Sequence, residues 1–216
     1  MIAPPATWCM YVAGSSPPPD ALLDLNMVST EYQRRPYFAY PTSPEGLRQF
    51  RDMPSWYGYV TSLRIQPGHV LLPYIDAFDE ALRALCMTYL LPEFSKFGEM
   101  KALATLEGAL LCRGDHAMCK RTKSGKHRCA GLKDILSWMN EHDVLPPEFF
   151  ESRSGRAISD ALTDIRNRQM HGYLLEETLP WAGLFESVKV AIEFAYKDSS
   201  PYDVHQLHVA NSGGSA

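Results

Sequence analysis

The chain has 216 residues, of which 45% are hydrophobic and 21% are charged, and its formal net charge is -4. That length provides for one well-buried core with an appendage, and the composition is ordinary for a globular protein. The acidic net charge excludes a protein that coats nucleic acid over its whole surface, although it permits a local basic site.

The five cysteines are an odd number, which does not suit a framework of paired disulfides. The N-terminal residues lack the basic segment and the uninterrupted apolar run of a secretion signal, so we expect none. The longest strongly apolar run is too short and too charged to span a bilayer. These features predict a soluble, cytoplasmic protein with reduced thiols and no membrane partner.

Residues 1–69 are predicted to form an N-terminal arm. Prolines recur throughout this region and disfavour long helices. Aromatic residues are dense between positions 32 and 59, and residues 56–65 alternate loosely, as a strand does. We therefore expect an extended, aromatic-rich arm that includes a short β-hairpin and packs on the main domain.

A helical period of apolar residues begins at about residue 70 and continues to about residue 197. Helices are predicted at residues 72–91, 94–111 and 131–141, from 147 to the 166–171 segment with a break near 152–155, and at 180–196. Modest loops join them, so residues 70–197 are predicted to be an all-α, antiparallel bundle of about five helices. Residues 198–216 are predicted to be a flexible tail.

The segment Arg166–His171 carries the most specific functional signal. It places an arginine, an asparagine and a histidine near the predicted end of the fourth helix. At about 100° per residue, Asn167 and His171 share a face, one turn apart and opposite the apolar stripe of that helix. Arg166 lies to one side of this face.

These residue types suit cleavage of RNA by its own 2′-hydroxyl. The reaction needs a base for the hydroxyl proton, an acid for the leaving 5′-oxygen and a cation for the phosphate. Histidine and arginine supply these functions without a metal or other cofactor, and DNA lacks the nucleophile, so RNA is the predicted substrate. The alternative is that Arg166 and His171 are solvated helix residues with local hydrogen bonds.

The spacing Arg-Asn-x-x-x-His of Arg166, Asn167 and His171 resembles the signature of the HEPN superfamily. Residues 131–146 resemble the helix and Leu-Pro turn that precede this signature in HEPN families. The resemblance covers about residues 70–197 and leaves the N-terminal third without a counterpart.

HEPN bundles commonly form homodimers in which two motifs share one cleft, and cleavage leaves a 2′,3′-cyclic phosphate without a metal. The resemblance implies that Arg166 binds the scissile phosphate, Asn167 orients the reacting groups and His171 is the acid/base. Many members are toxins or antiphage effectors, which implies an endoribonuclease of that kind. Other members have lost catalysis, so a non-catalytic module that binds RNA, a nucleotide or a protein partner is the alternative.

Tyr173 matches the Arg-x4-His-x-Tyr variant of toxins paired with a minimal nucleotidyltransferase antitoxin. The equivalent tyrosine of such toxins is adenylylated to silence them, which implies Tyr173 as a regulatory modification site and an antitoxin as a partner. Packing of this ring after the helix end is the alternative. Gln169 and Met170 differ from the aliphatic residues that such toxins often have there.

Residues 113–128 are predicted to be a polar, basic loop without periodicity. Its candidate RNA-binding cations are Lys120, Arg121, Lys123, Lys126 and Arg128. A solvated loop without a ligand is the alternative.

The same region contains residue types that bind zinc, namely Cys112, His116, Cys119, His127 and Cys129. Their spacing lacks the paired C-x2-C of well-defined zinc sites. We therefore expect no metal and interpret these thiols as incidental. A zinc site is the alternative.

Overall fold

The structure is a computed structural model that describes residues 22, 38–43, 46–66, 68–114, 118–121, 127–151, 157–170 and 180–198. This part of the chain is mostly helical, with a small antiparallel sheet near the N-terminus. Within it, no helix combines the length and the apolar character that crossing a membrane requires.

The first described element is an antiparallel hairpin of β1 (Phe38–Ser43) and β2 (Gly46–Phe50). The helices of the described residues are α1 (Met53–Ser62), α2 (Leu72–Met87), α3 (Phe94–Arg113), α4 (Leu132–Glu141), α5 (Ile158–Met170) and α6 (Leu184–Tyr196). A second hairpin of β3 (Cys119–Arg121) and β4 (His127–Cys129) lies between α3 and α4. A short 3-10 helix, Pro147–Phe149, precedes α5.

The predicted hairpin in the N-terminal region is confirmed, but the strand predicted at residues 56–65 is wrong. Helix α1 occupies most of that segment. The Asp52 carboxylate accepts a hydrogen bond from the Ser55 backbone N–H at 2.8 Å, and the Ser55 hydroxyl accepts one from the Asp52 N–H at 3.3 Å. This capping box starts the helix, and Pro54 is tolerated in its first turn.

An aromatic cluster joins the N-terminal region to the later helices. Trp56 is fully buried, and its indole N–H donates to the Cys86 carbonyl of α2 at 3.1 Å. The Phe38 ring lies 4.9 Å from the Trp56 ring and 5.0 Å from the Tyr89 ring, between centroids. The described aromatic residues of this region therefore share one hydrophobic core with α2.

Helix α3 is the central element, since it packs against α2, α4, α5 and α6. Its contact with α2 is close at Gly98, where a Cβ atom would lie 3.0 Å from the Ala81 carbonyl oxygen and 3.3 Å from the Leu85 nitrogen. The missing side chain allows the two backbones to approach at this point.

The five helices predicted within residues 70–197 correspond to α2 to α6, with differences at the ends, whereas α1 was not predicted. Helix α2 ends before residue 91, and a 3-10 helix replaces the predicted start of the fourth helix at residue 147. The prediction of a polar loop without periodicity at residues 113–128 is wrong where β3 and β4 pair with each other, whereas residues 115–117 and 122–126 lie outside the described residues. Backbone hydrogen bonds hold the two strands together, and the spacing of apolar residues does not predict such bonds.

Candidate active site and basic hairpin

Arg166 lies on α5 directly after Ile165 and one turn after Leu162, two buried residues that anchor this helix in the core. Its guanidinium Nε donates to Oε2 of Glu107 at 3.2 Å, and Nη2 donates to Oε1 at 3.2 Å. Glu107 belongs to α3. The central helix therefore fixes the arginine of the motif through a bidentate carboxylate–guanidinium contact.

This ion pair leaves the guanidinium able to bind an anion. The two bonds to Glu107 use two of the five N–H donors of a guanidinium, so further donors can serve a phosphate. The side chains of Arg166 and Glu107 are 29% and 20% exposed, which places the pair at the edge of the core. A phosphate arriving from solvent would meet a cation whose orientation is already set.

Asn167 is exposed, as its predicted position opposite the apolar stripe requires. The next residue, Arg168, forms an ion pair with Asp164 one turn earlier, at 3.1 Å. His171 and Tyr173 lie outside the described residues, so the predicted pairing of Asn167 with His171 stays a prediction. The described part of the motif is thus a half-buried, oriented arginine followed by an exposed asparagine.

Helix α3 also holds the chain beyond the motif, through Glu99. This carboxylate is fully buried; it accepts a hydrogen bond from the Trp181 backbone N–H at 2.8 Å and pairs with Lys96 at 3.0 Å. Two glutamates of one helix therefore fix the chain on either side of residues 171–179, Glu107 through Arg166 and Glu99 through Trp181.

Neither glutamate was predicted from the sequence. Glu99 left a signal, because it stands on the apolar stripe of α3 with Ala102, Leu103 and Leu106, where a charged residue needs a partner. The sequence gives no comparable signal for Glu107, since a partly exposed glutamate is ordinary on a helix surface.

The second hairpin carries much of the positive charge predicted to bind RNA. Lys120 is paired with Arg128, and Arg121 is paired with His127. Cationic residues directly opposite each other disfavour strand pairing. Lys123 and Lys126 fall between the two strands in sequence and lie outside the described residues.

The residues proposed as zinc ligands fall in different environments. Cys112 is half-buried near the end of α3, close to Tyr74 and Tyr196. Cys119, His127 and Cys129 belong to the hairpin strands, and His116 lies outside the described residues. Among described residues, no group of three or more potential metal ligands is gathered together.

A separate pair of phenols, the buried Tyr40 and the half-buried Tyr59, lies near the N-terminal hairpin. The Tyr59 hydroxyl donates to Glu186 of α6, and burial followed by this hydrogen bond raises the pKa of Tyr59 above its ordinary value. Burial, with the nearby Glu99 carboxylate, also raises the pKa of Tyr40 well above its ordinary value. These phenols are therefore neutral in the folded protein at neutral pH.

Comparison of the chain with protein-family models, curated proteins and solved structures finds no match. The candidate site therefore rests on its own residues and their geometry. Its described parts are the Glu107–Arg166 pair, the exposed Asn167 and the basic hairpin.

Proposed function

We propose that this chain is a metal-independent endoribonuclease of the HEPN type. Arg166 binds the scissile phosphate, Asn167 orients the reacting groups and His171 transfers the protons. The observation that carries the proposal is the contact between Glu107 and Arg166, which holds a partly exposed guanidinium in one orientation beside the exposed Asn167. A fixed cation of this kind stabilises charge that accumulates on phosphate oxygens during attack.

In the proposed reaction the ribose 2′-oxygen attacks the adjacent phosphorus, and the bond from phosphorus to the 5′-oxygen breaks. A neutral imidazole takes the 2′-hydroxyl proton, and an imidazolium gives a proton to the 5′-oxygen. The products are a 2′,3′-cyclic phosphate and a 5′-hydroxyl. Arg166 neutralises the phosphate throughout, and no metal ion takes part.

The basic hairpin supports the choice of RNA over a small-molecule substrate. Lys120 and Arg128 lie directly opposite each other in two adjacent strands, and Arg121 follows Lys120. Such a concentration of cations suits the binding of several phosphates of one RNA strand. The formal net charge of the whole chain is -4, so this local concentration of cations directs RNA to one part of the protein.

In this proposal the protein is a cytoplasmic toxin or antiphage effector. Its helices form an antiparallel HEPN-like bundle, and two copies share one cleft. A minimal nucleotidyltransferase antitoxin silences it by adenylylating Tyr173. Sedimentation of the purified chain tests the dimer. Incubation with such an enzyme and ATP tests the modification, which Tyr173→Phe should abolish.

RNA cleavage by the purified protein in excess EDTA tests the central assignment. Wild type is compared with His171→Ala, and with His142→Ala as a matched control. His142 is an exposed histidine that stacks on Trp138, with 4.0 Å between ring centroids, and it has no part in the proposed chemistry. Wild type and His142→Ala should cleave RNA with cyclic-phosphate ends, whereas His171→Ala should not.

Equal cleavage by His171→Ala would refute the assignment of the acid/base. An RNA with a 2′-deoxy sugar at the scissile position should resist cleavage, and its cleavage would refute attack by the 2′-hydroxyl. RNA binding without any turnover would favour the non-catalytic HEPN module instead.

A further inference from the structure

Cys119 and Cys129 are direct partners across the second hairpin. Met118 and Ala130, the pair next to the cysteines, are hydrogen-bonded, because the Ala130 N–H donates to the Met118 carbonyl at 3.0 Å. Hydrogen-bonded and non-hydrogen-bonded pairs alternate along an antiparallel ladder. The two cysteines therefore occupy a non-hydrogen-bonded pair at the base of the hairpin.

This register suits a bond between the two thiols. In a non-hydrogen-bonded pair the Cα atoms are about 4.5 Å apart and the side chains are at their closest. A disulfide spans Cα atoms about 4.4 to 6.8 Å apart, so the strands would not need to move to accept one.

We propose that Cys119 and Cys129 form a reversible redox pair, a modification site for low-molecular-weight disulfides such as glutathione disulfide. The other described cysteines differ from this pair. Cys86 is fully buried in α2, and Cys112 packs against tyrosines of α2 and α6. This proposal does not depend on RNA cleavage.

The exchange between the two cysteines and glutathione disulfide has two steps. One cysteine thiolate attacks a sulfur of glutathione disulfide, forms a protein–glutathione mixed disulfide and releases one glutathione thiolate. The second cysteine thiolate attacks the protein sulfur of that mixed disulfide and releases the other glutathione thiolate. The cysteines lose two electrons in total, glutathione disulfide gains them, and the protons of the two cysteines pass to the released thiolates.

The bond would hold together two strands in which cations oppose each other. Lys120 is paired with Arg128 immediately beyond the cysteine pair. A covalent link at the base restricts the separation of the strands, so oxidation keeps the hairpin closed where charge repulsion would open it. Reduction releases this restraint.

Incubation of the full chain with glutathione disulfide and EDTA, followed by alkylation, digestion and mass spectrometry, tests the pair. Wild type should yield a linked peptide joining Cys119 to Cys129, lighter than the reduced form by two hydrogen atoms, and dithiothreitol should reverse it. Cys112→Ser, the matched control, should form the same link. Cys119→Ser should stop at a glutathione adduct on Cys129.

Alkylation of both Cys119 and Cys129 in wild type after prolonged incubation would overturn the proposal, as would a link from either one to Cys112. Zinc bound to the reduced protein and lost in both Cys119→Ser and Cys129→Ser, without any disulfide in wild type, would replace it with a metal site. The wild-type peptide map decides the question even if a serine variant fails to fold. Failure here leaves the RNA-cleavage result unaffected, and the reverse also holds.

Discussion

Glu107 and Arg166 are separated by 59 positions in the chain, yet each carboxylate oxygen of Glu107 accepts a hydrogen bond from the Arg166 guanidinium at 3.2 Å. The arginine of the motif is therefore oriented by α3, a helix outside the motif. In the proposed nuclease, Glu107 is a positioning residue that acts through Arg166 and does not touch the substrate.

Glu107→Gln should lower kcat for RNA cleavage by roughly 10- to 100-fold, because a misoriented guanidinium stabilises the transition state poorly. Its effect on the free energy of unfolding should stay within about 1 kcal/mol, as for partly exposed ion pairs. Cleavage rates and urea unfolding measure the two effects. Glu80→Gln is the control, since Glu80 pairs with Lys101 at 2.6 Å on an exposed surface. Equal losses of kcat in both variants would contradict the positioning role.

Replacing both Lys120 and Arg128 by Gln should weaken RNA binding and reduce its dependence on salt. Each lost phosphate contact should lower the slope of log affinity against log salt concentration by about 0.7 for a single strand. Fluorescence anisotropy at several salt concentrations measures this slope. Lys133→Gln, at an exposed position on α4, should leave the slope unchanged. An unchanged slope in the double variant would mean that the hairpin does not bind RNA.

Glu99→Ala should lower the free energy of unfolding by about 3 to 5 kcal/mol, because it removes the buried carboxylate of the ion pair with Lys96. The hydrogen bond from the Trp181 N–H to Glu99 is lost as well. Glu99→Gln should be milder, since its amide oxygen can still accept from Trp181. Denaturant unfolding measures both variants. A loss below 1 kcal/mol for Glu99→Ala would show that the buried pair contributes little.

Two glycines of α3 should respond to alanine in opposite directions. At Gly98 the new Cβ meets backbone atoms of α2 at 3.0 and 3.3 Å, so Gly98→Ala should destabilise the fold by about 1 to 3 kcal/mol. At Gly108 the nearest atom is 3.5 Å away, an ordinary contact, so Gly108→Ala should stabilise by about 0.5 to 1 kcal/mol through helix propensity. Thermal unfolding distinguishes them, and similar shifts would contradict the close approach of α2 and α3.

Alkaline pH should destabilise the protein in part through Cys86. Burial raises the pKa of this thiol from 9.0 to about 12, so the folded state keeps a proton that the unfolded state releases. The contribution of the neutral thiol to the free energy of unfolding is fully present below pH 9. It is lost as pH rises toward 12, at up to about 1.4 kcal/mol per pH unit. Unfolding at pH 9 to 11 should therefore show a shallower pH dependence for Cys86→Ala. Equal slopes would contradict this linkage.

The positions of the helices were predictable, because the apolar residues of each helix recur at a spacing that its own backbone dictates. Residues 132–141 illustrate this, since Leu132, Ile135, Leu136 and Met139 are buried as their period requires. The error at residues 56–65 has a local cause. Dense aromatic residues favour a strand, and the capping box at Asp52 and Ser55 outweighs that preference.

The sequence alone determined the helical spacing, the exposure of Asn167 and the concentration of cations at residues 120–128. Only the tertiary structure decided which groups meet. The partners of Arg166 and Trp181 lie 59 and 82 positions away on α3, and the register that pairs Cys119 with Cys129 follows from backbone hydrogen bonds. The spacing of apolar residues predicts which face of a helix is buried. The residues that contact that face are determined by how distant elements of the chain pack.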